Sequence, residues 1–166
     1  LGSGYLNQLE IGAKIKARVI TNTAFHFPKE ATKVALISNG TGIAPFLGMI
    51  QESTPKTETH LYCGFRTETK SVASYTKLAQ EMMGQQRLQS FNLALSRIPN
   101  GCRVTQLVER DAAFFKEIKN ENGVIMICGS LAMQKDVEKV LETLLGEANT
   151  SVSDYKAKGQ ILTDCY

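Results

Sequence analysis

From Lys33 onward the chain alternates short apolar runs with longer segments in which apolar and polar residues repeat at helical spacing. The apolar runs are VALIS (34–38), THLYCGF (59–65), FNLALS (91–96), VIMICG (124–129) and QILTD (160–164). Nearly continuous apolar runs of this length are typical of strands that are buried on both faces of a parallel sheet. The pattern therefore predicts a mainly parallel sheet of five strands.

The segments between these runs predict helices over residues 43–52, about 71–83, about 104–119 and 131–145. In the last of them, acidic and basic residues alternate over an apolar stripe, as on a helix with one solvated face. Regular alternation of strands and helices indicates a doubly wound α/β domain with helices on both faces of the sheet, a Rossmann-like fold.

The first 28 residues have a different pattern. The run AKIKARVI (13–20) alternates apolar and polar residues, which predicts a half-buried antiparallel strand. Pro28 closes this segment, and a short polar linker follows it. We therefore predict two units, residues 1–28 and residues 29–166, of which the second is the α/β domain.

Composition narrows the classes of function. With a net charge of only +3 over 166 residues, the chain lacks the strong basic character of a protein that binds nucleic acid. It has no apolar run as long as the roughly 18 residues of a membrane span. Its four cysteines are far apart and show no C-x-x-C spacing, so no metal site is predicted. A reducing, cytoplasmic setting is the expectation.

The segment ISNGTGIAPF (37–46) joins the first predicted strand to the first helix of the domain. Gly40 and Gly42 would allow a phosphate to approach the backbone, where a helix N-terminus offers free N–H groups. Pro45 is compatible with the first turn of a helix. Since the segment is neither G-x-G-x-x-G nor a P-loop, the residues alone leave both a phosphate site and an ordinary turn open.

Arginines follow the second and third predicted strands. An NAD-binding fold usually has an acidic residue at the end of its second strand, where it holds the ribose hydroxyls. Here that strand is followed by Arg66, and the third by Ser96, Arg97 and Arg103. Guanidinium groups suit phosphate better than a diol. The arginines therefore favour a phosphorylated dinucleotide.

Five motifs carry a resemblance to a known family, and they occur in the family's order over about residues 33–166: GTGIAPFLGMIQE, LYCGFR, LALSR, VIMICGSLAMQKDV and ILTDCY. The chain resembles the NADP(H)-binding domain of the ferredoxin–NADP reductase superfamily. It is most similar to the C-terminal part of diflavin reductases of the sulfite reductase flavoprotein and cytochrome reductase type. The run GSGYL is similar to a flavin pyrophosphate turn, which implies that residues 1–28 are the tail of an antiparallel β-barrel FAD domain.

The resemblance implies roles for the matching residues. Cys128 and Asp164 would line the hydride-transfer site, and Tyr166 would stack on the flavin ring. Ser3 would lie by the FAD pyrophosphate, Ser96 and Arg97 would hold the 2′-phosphate of NADP(H), and Arg66 would lie near the pyrophosphate or nicotinamide. The remaining implied cofactor-binding residues are Gly40, Thr41, Gly42 and Pro45 at the pyrophosphate, together with Arg103 and Gly129.

The implied activity is that of an NADPH-dependent flavoprotein oxidoreductase, in which a hydride passes from NADPH to FAD. The implied partners are the FAD domain, without which this chain would be inactive, and an acceptor that is flavodoxin-like (with FMN) or an iron–sulfur protein. The chain departs from the family at Ser130, where an acidic residue is common, and after Arg97, where a Lys and a Tyr are common. An NADH-dependent reductase and a dinucleotide sensor without turnover remain as alternatives.

Overall fold

The structure is a computed structural model that describes residues 2–18, 20, 22–53, 56–120, 122–146 and 150–166. Five parallel strands form one sheet in the order β3-β2-β1-β4-β5. The strands are β1 (Lys33–Asn39), β2 (Glu58–Phe65), β3 (Ser90–Leu95), β4 (Val124–Gly129) and β5 (Ile161–Cys165). This confirms the predicted sheet. Both ends of every strand lie within one residue of the ends of the corresponding apolar run.

Seven α-helices accompany the sheet in the described part of the chain. They are α1 (Gly2–Asn7), α2 (Ile43–Glu52), α3 (Lys70–Gly84), α4 (Val104–Arg110), α5 (Ala112–Asn120), α6 (Leu131–Leu145) and α7 (Val152–Ala157). Buried residues of α2 and α3 form a core with one face of the sheet, and those of α4 to α7 form a second core with the other face. Helices therefore cover both faces, as predicted.

The central strand explains this arrangement. All residues of β1 from Val34 to Ser38 are buried, because the strand lies between two strands and under helices on both faces. The chain continues from β1 to β2 and β3 on one side and returns to place β4 on the other. The strand order thus reverses at the carboxyl end of β1, the position at which open α/β sheets bind their ligands.

The helix predicted over residues 104–119 is in fact two helices. The chain turns at Asp111, whose carboxylate accepts hydrogen bonds from the buried Tyr62 hydroxyl (3.0 Å) and from the Arg110 guanidinium (2.8 Å). The hydrogen bond from Arg110 lowers the pKa of Asp111, so the charged form stabilises the turn. Sequence periodicity also missed α7, because a helix of six residues is too short to show a period.

The N-terminal segment differs from the prediction. The described residues of the run 13–20 are exposed and form no strand, so the predicted antiparallel strand is wrong: the described part of the chain offers it no neighbouring strand with which to pair. Phe25 and Phe27 are buried, and the Phe25 ring lies 5.9 Å from that of Phe46 in α2. The division between residues 1–28 and 29–166 stays a prediction.

None of the helices in the described ranges is long and apolar enough to cross a membrane.

Candidate functional site

A cleft of about 760 Å³ lies at the carboxyl ends of β1, β2 and β3, where it is bounded by the first turns of α3, α4 and α6. It brings together residues that the sequence predicted from separate motifs. Those that line it are Gly40, Thr41, Arg66, Ser96, Arg97, Arg103 and Tyr166. The cleft therefore lies at the switch point of the sheet, where the strand order reverses. It is lined both by the turn Gly40–Gly42, called the glycine turn below, and by the arginines.

The two glycines of the turn serve different purposes. Gly40 has φ +54°, a left-handed conformation that favours glycine, and no atom lies within 4 Å of the place where a Cβ would be. The space above Gly40 is therefore open to a ligand. Gly42 is buried, and a Cβ there would collide with the Cys128 carbonyl group and lie 2.9 Å from the Gly129 Cα. Gly42 thus lets the turn pack directly on the end of β4.

A side-chain pair that the sequence did not reveal connects the ends of β1 and β4. The Asn39 Oδ1 accepts a hydrogen bond from the Ser130 N–H (2.9 Å), and the Asn39 Nδ2 donates to the Ser130 Oγ (3.0 Å). Ser130 also caps α6, since its Oγ accepts from the Met133 N–H (3.3 Å). Ser130 therefore takes a structural role at the position where the family commonly has an acidic residue.

The basic wall of the cleft is positioned by main-chain pairing that continues beyond β3. The Ser96 N–H donates to the Phe65 carbonyl (2.9 Å), and the Arg97 N–H donates to the Arg66 carbonyl (2.7 Å). This pairing sets Ser96, Arg97 and Arg66 side by side at the cleft. Neither Arg66 nor Arg97 has an acidic group within ion-pair distance among the residues that the structure describes. Exposed cations in a concave site favour an anionic ligand.

The C-terminal residue lies over the glycine turn. The Tyr166 N–H donates to the Gly129 carbonyl (2.9 Å), and the Tyr166 carbonyl accepts from the Leu131 N–H (3.2 Å). These bonds hold the phenol against Thr41, and the two hydroxyl oxygens are 2.6 Å apart in a hydrogen bond. The residue is nevertheless 69% exposed. The Thr41 hydroxyl is thus engaged by Tyr166 in this structure.

Cys128 and Asp164 are neighbours in the sheet, because they pair in register across β4 and β5. Cys128 is only 3% exposed, and burial, with smaller contributions from Asp164 and Cys165, raises the pKa of its thiol to about 11. The thiol is therefore protonated at neutral pH. Asp164 is exposed.

Some of the predicted residues lie away from the lining of the cleft. They are Gly42, Pro45, Cys128, Gly129 and Asp164. Gly42 packs against the main chain of Cys128 and Gly129 at the end of β4, next to the cleft. Pro45 is exposed in the first turn of α2. The side chain of Ser3 lies outside the described residues, and its role at the FAD pyrophosphate stays a prediction.

A doubly wound parallel sheet with an open glycine turn and exposed arginines at its switch point defines a dinucleotide-binding domain. Comparison with known families makes the assignment specific. The chain belongs to the oxidoreductase NAD-binding domain family, whose model matches residues 36–139. The resemblance predicted from the motifs is confirmed at this level.

Similar proteins are large enzymes. The chain is 36% identical to a nitric oxide synthase of Anopheles stephensi over 154 residues, which are 86% of this chain and 12% of that protein. It is 30% identical to the NADPH–cytochrome P450 reductase of Rattus norvegicus over 162 residues, 89% of this chain and 24% of that protein. A self-sufficient cytochrome P450 monooxygenase of Aspergillus terreus is 30% identical over 163 residues, 88% of this chain and 15% of that protein. The chain thus spans a quarter or less of the length of these relatives.

Proposed function

We propose that this chain is the NADP(H)-binding module of a flavoprotein reductase. The observation that carries the proposal is a pair of exposed arginines, Arg66 and Arg97, that share one cleft with Ser96 and an open glycine turn and have no acidic partner among the described residues. This arrangement fits a nucleotide with phosphates at two places. Bound NADPH supplies a hydride, and a flavin held by a neighbouring FAD domain accepts it.

In this proposal the chain binds and orients the nucleotide. The open space above Gly40, in the turn that leads into α2, receives the pyrophosphate. Ser96 and Arg97 hold the 2′-phosphate, and Arg66 lies between these two sites. The name of one relative, NADPH–cytochrome P450 reductase, supports an NADPH-dependent oxidoreductase. We propose that the partners are an FAD domain and a flavodoxin-like or iron–sulfur acceptor, and that the setting is the cytoplasm.

The proposal predicts a chain that binds NADP⁺ without binding FAD. The purified chain should be colourless, and NADP⁺ at 100 times its dissociation constant should stabilise it by about 2.7 kcal/mol. For a domain of this size the melting temperature should rise by roughly 5–10 °C. Thermal denaturation with NADP⁺, NAD⁺ and FAD in separate samples measures this. A yellow preparation with stoichiometric FAD, or no stabilisation by either nicotinamide nucleotide, would contradict the proposal.

We further propose that Cys128 acts at the hydride-transfer site together with Asp164. A buried thiol that stays protonated can donate a hydrogen bond without charge as the reacting atoms rearrange. In the complete reductase, Cys128→Ala should slow flavin reduction by roughly tenfold or more and leave NADP⁺ affinity nearly unchanged. Stopped-flow absorbance measures the rate, and Cys63→Ala, which removes another buried thiol, is the matched control. Reduction at the wild-type rate in Cys128→Ala would show that this thiol only fills the core.

In this proposal Tyr166 competes with the nucleotide for Thr41. The Tyr166 phenol is hydrogen-bonded to the Thr41 hydroxyl, which would otherwise be available to the pyrophosphate. Tyr166→Phe keeps the ring and removes only that hydrogen bond. NADP⁺ and NAD⁺ should both bind about threefold more tightly, since the contact concerns the pyrophosphate that they share. Titration calorimetry of both nucleotides measures this. The control is Tyr155→Phe, which removes a buried hydroxyl group outside the lining of the cleft. Unchanged or weaker binding by Tyr166→Phe would exclude the competition.

A further inference from the structure

One acidic side chain interrupts the positive charge of the cleft. Asp136 is the only acidic residue among the described residues that line it, and it shares the cleft with Arg66, Arg97 and Arg103. Its carboxylate lies 3.7 Å from the Arg103 guanidinium. Asp136 lies in the second turn of α6, and Arg103 is the N-cap residue of α4, so the pair connects the N-terminal parts of two helices across one side of the cleft.

The main chain of Arg103 is held in place, whereas its side chain is largely exposed. The Arg103 N–H donates to the Gln106 side-chain oxygen (2.8 Å), which fixes the residue at the start of α4. In contrast, the side chains of Arg103 and Asp136 are 74% and 57% exposed. An ion pair this exposed is weak and depends on salt, so a stronger anion can take its place.

We propose that Asp136 is a specificity-determining residue that lowers the preference of this site for a 2′-phosphorylated nucleotide. This inference rests on the proposed binding of nicotinamide nucleotides at the cleft. Arg103 exchanges its carboxylate partner for the 2′-phosphate, and the displaced carboxylate remains near that phosphate as a like charge. NAD⁺ carries a hydroxyl at this place and requires neither the exchange nor the repulsion.

After Arg97 the family commonly has a Lys and a Tyr, whereas this chain offers Arg103 as the second cation for the 2′-phosphate. Arg97 has no acidic partner among the described residues, so its charge is fully available to a phosphate. Arg103 is available only after it leaves Asp136. The site therefore selects for the 2′-phosphate mainly through Ser96 and Arg97, and Asp136 reduces the additional selection that Arg103 could provide.

The test is titration calorimetry of the chain and its Asp136→Asn variant with NADP⁺, NAD⁺ and adenosine 2′,5′-bisphosphate at low and at high salt. Asp136→Asn should bind NADP⁺ and the bisphosphate about threefold more tightly at low salt, the size typical of exposed charge interactions. The gain should fade at high salt, and NAD⁺ affinity should stay unchanged. The matched control is Glu81→Gln, which removes the same charge from an exposed position near the far end of α3.

A double variant separates the exchange from a general effect of charge. In the Arg103→Gln background, Asp136→Asn should give less than half of its gain in NADP⁺ affinity, because no guanidinium is left to release. The inference is overturned if Asp136→Asn binds NADP⁺ equally or more weakly, or if the full gain persists without Arg103. If the wild-type chain binds neither nicotinamide nucleotide, the proposed function itself fails, and this inference fails with it.

Discussion

Replacing Arg97 with alanine should weaken NADP⁺ binding by about 1.5–3 kcal/mol, the range for a hydrogen bond to a charged group. The reason is that Arg97 lies exposed beside Ser96 at the end of β3, without an acidic partner in the described residues. NAD⁺ lacks the 2′-phosphate, so its affinity should barely change. Titration calorimetry with both nucleotides measures the difference directly.

Arg66→Ala provides the internal comparison for this result. Arg66 follows β2, which lies between β1 and β3, so it is closer to the glycine turn after β1 than Arg97 is. Its loss should weaken the binding of NADP⁺ and NAD⁺ by similar factors, since both contain the pyrophosphate. Arg18→Ala removes an exposed positive charge from the N-terminal segment and controls for net charge. Equal losses of the two nucleotides in Arg97→Ala would disprove its assignment to the 2′-phosphate.

Gly42→Ala should destabilise the fold by about 3 kcal/mol, at the upper end of the usual cost of overpacking. The added Cβ would press on the main chain of Cys128 and Gly129 at the end of β4, which is paired in the sheet and cannot move aside as a side chain could. The melting temperature should fall by roughly 6–12 °C. Differential scanning calorimetry without nucleotide measures this effect separately from binding.

Gly48→Ala is the matched control, because it makes the same substitution six residues later, inside α2. Gly48 is exposed and has no atom within 4 Å of its Cβ position, so alanine should stabilise α2 by about 0.5–1 kcal/mol. Opposite signs at the two glycines would confirm close packing as the cause. A loss of stability below about 0.5 kcal/mol in Gly42→Ala would mean that the turn can move away from β4.

The sheet and most helices were predictable because their signal is local. Each buried strand needs apolar side chains on both faces, and α2 and α6 begin and end where their apolar periodicity does. The break at Asp111 was not predictable in the same way. It depends on a hydrogen bond from Tyr62, which comes from a strand 49 positions earlier. The apolar periodicity of the sequence continues from α4 into α5, so it does not reveal the break between them.

The candidate site was predictable to a similar degree. Glycines and arginines at strand ends predicted which residues meet, since the carboxyl ends of parallel strands share one edge of a sheet. Contacts between distant residues left no sequence signal. The Asn39–Ser130 pair spans 91 positions, and the contact between Thr41 and Tyr166 spans 125. An Asn before glycines is common in ordinary turns, so the pairing of Asn39 with Ser130 could not be predicted from it.

The Asn39–Ser130 pair has a consequence for the way the domain opens. It joins β1, the central strand, to its neighbour β4, so the base of the cleft belongs to the part of the sheet that should exchange its amide hydrogens most slowly. Tyr166 differs from this part of the sheet, because it is 69% exposed and is held by two main-chain hydrogen bonds and one hydroxyl contact, so it should open locally more often than the central strands do. Under the proposed function, a nucleotide would therefore meet a part of the sheet that is ordered before it arrives, beside a residue that opens more readily.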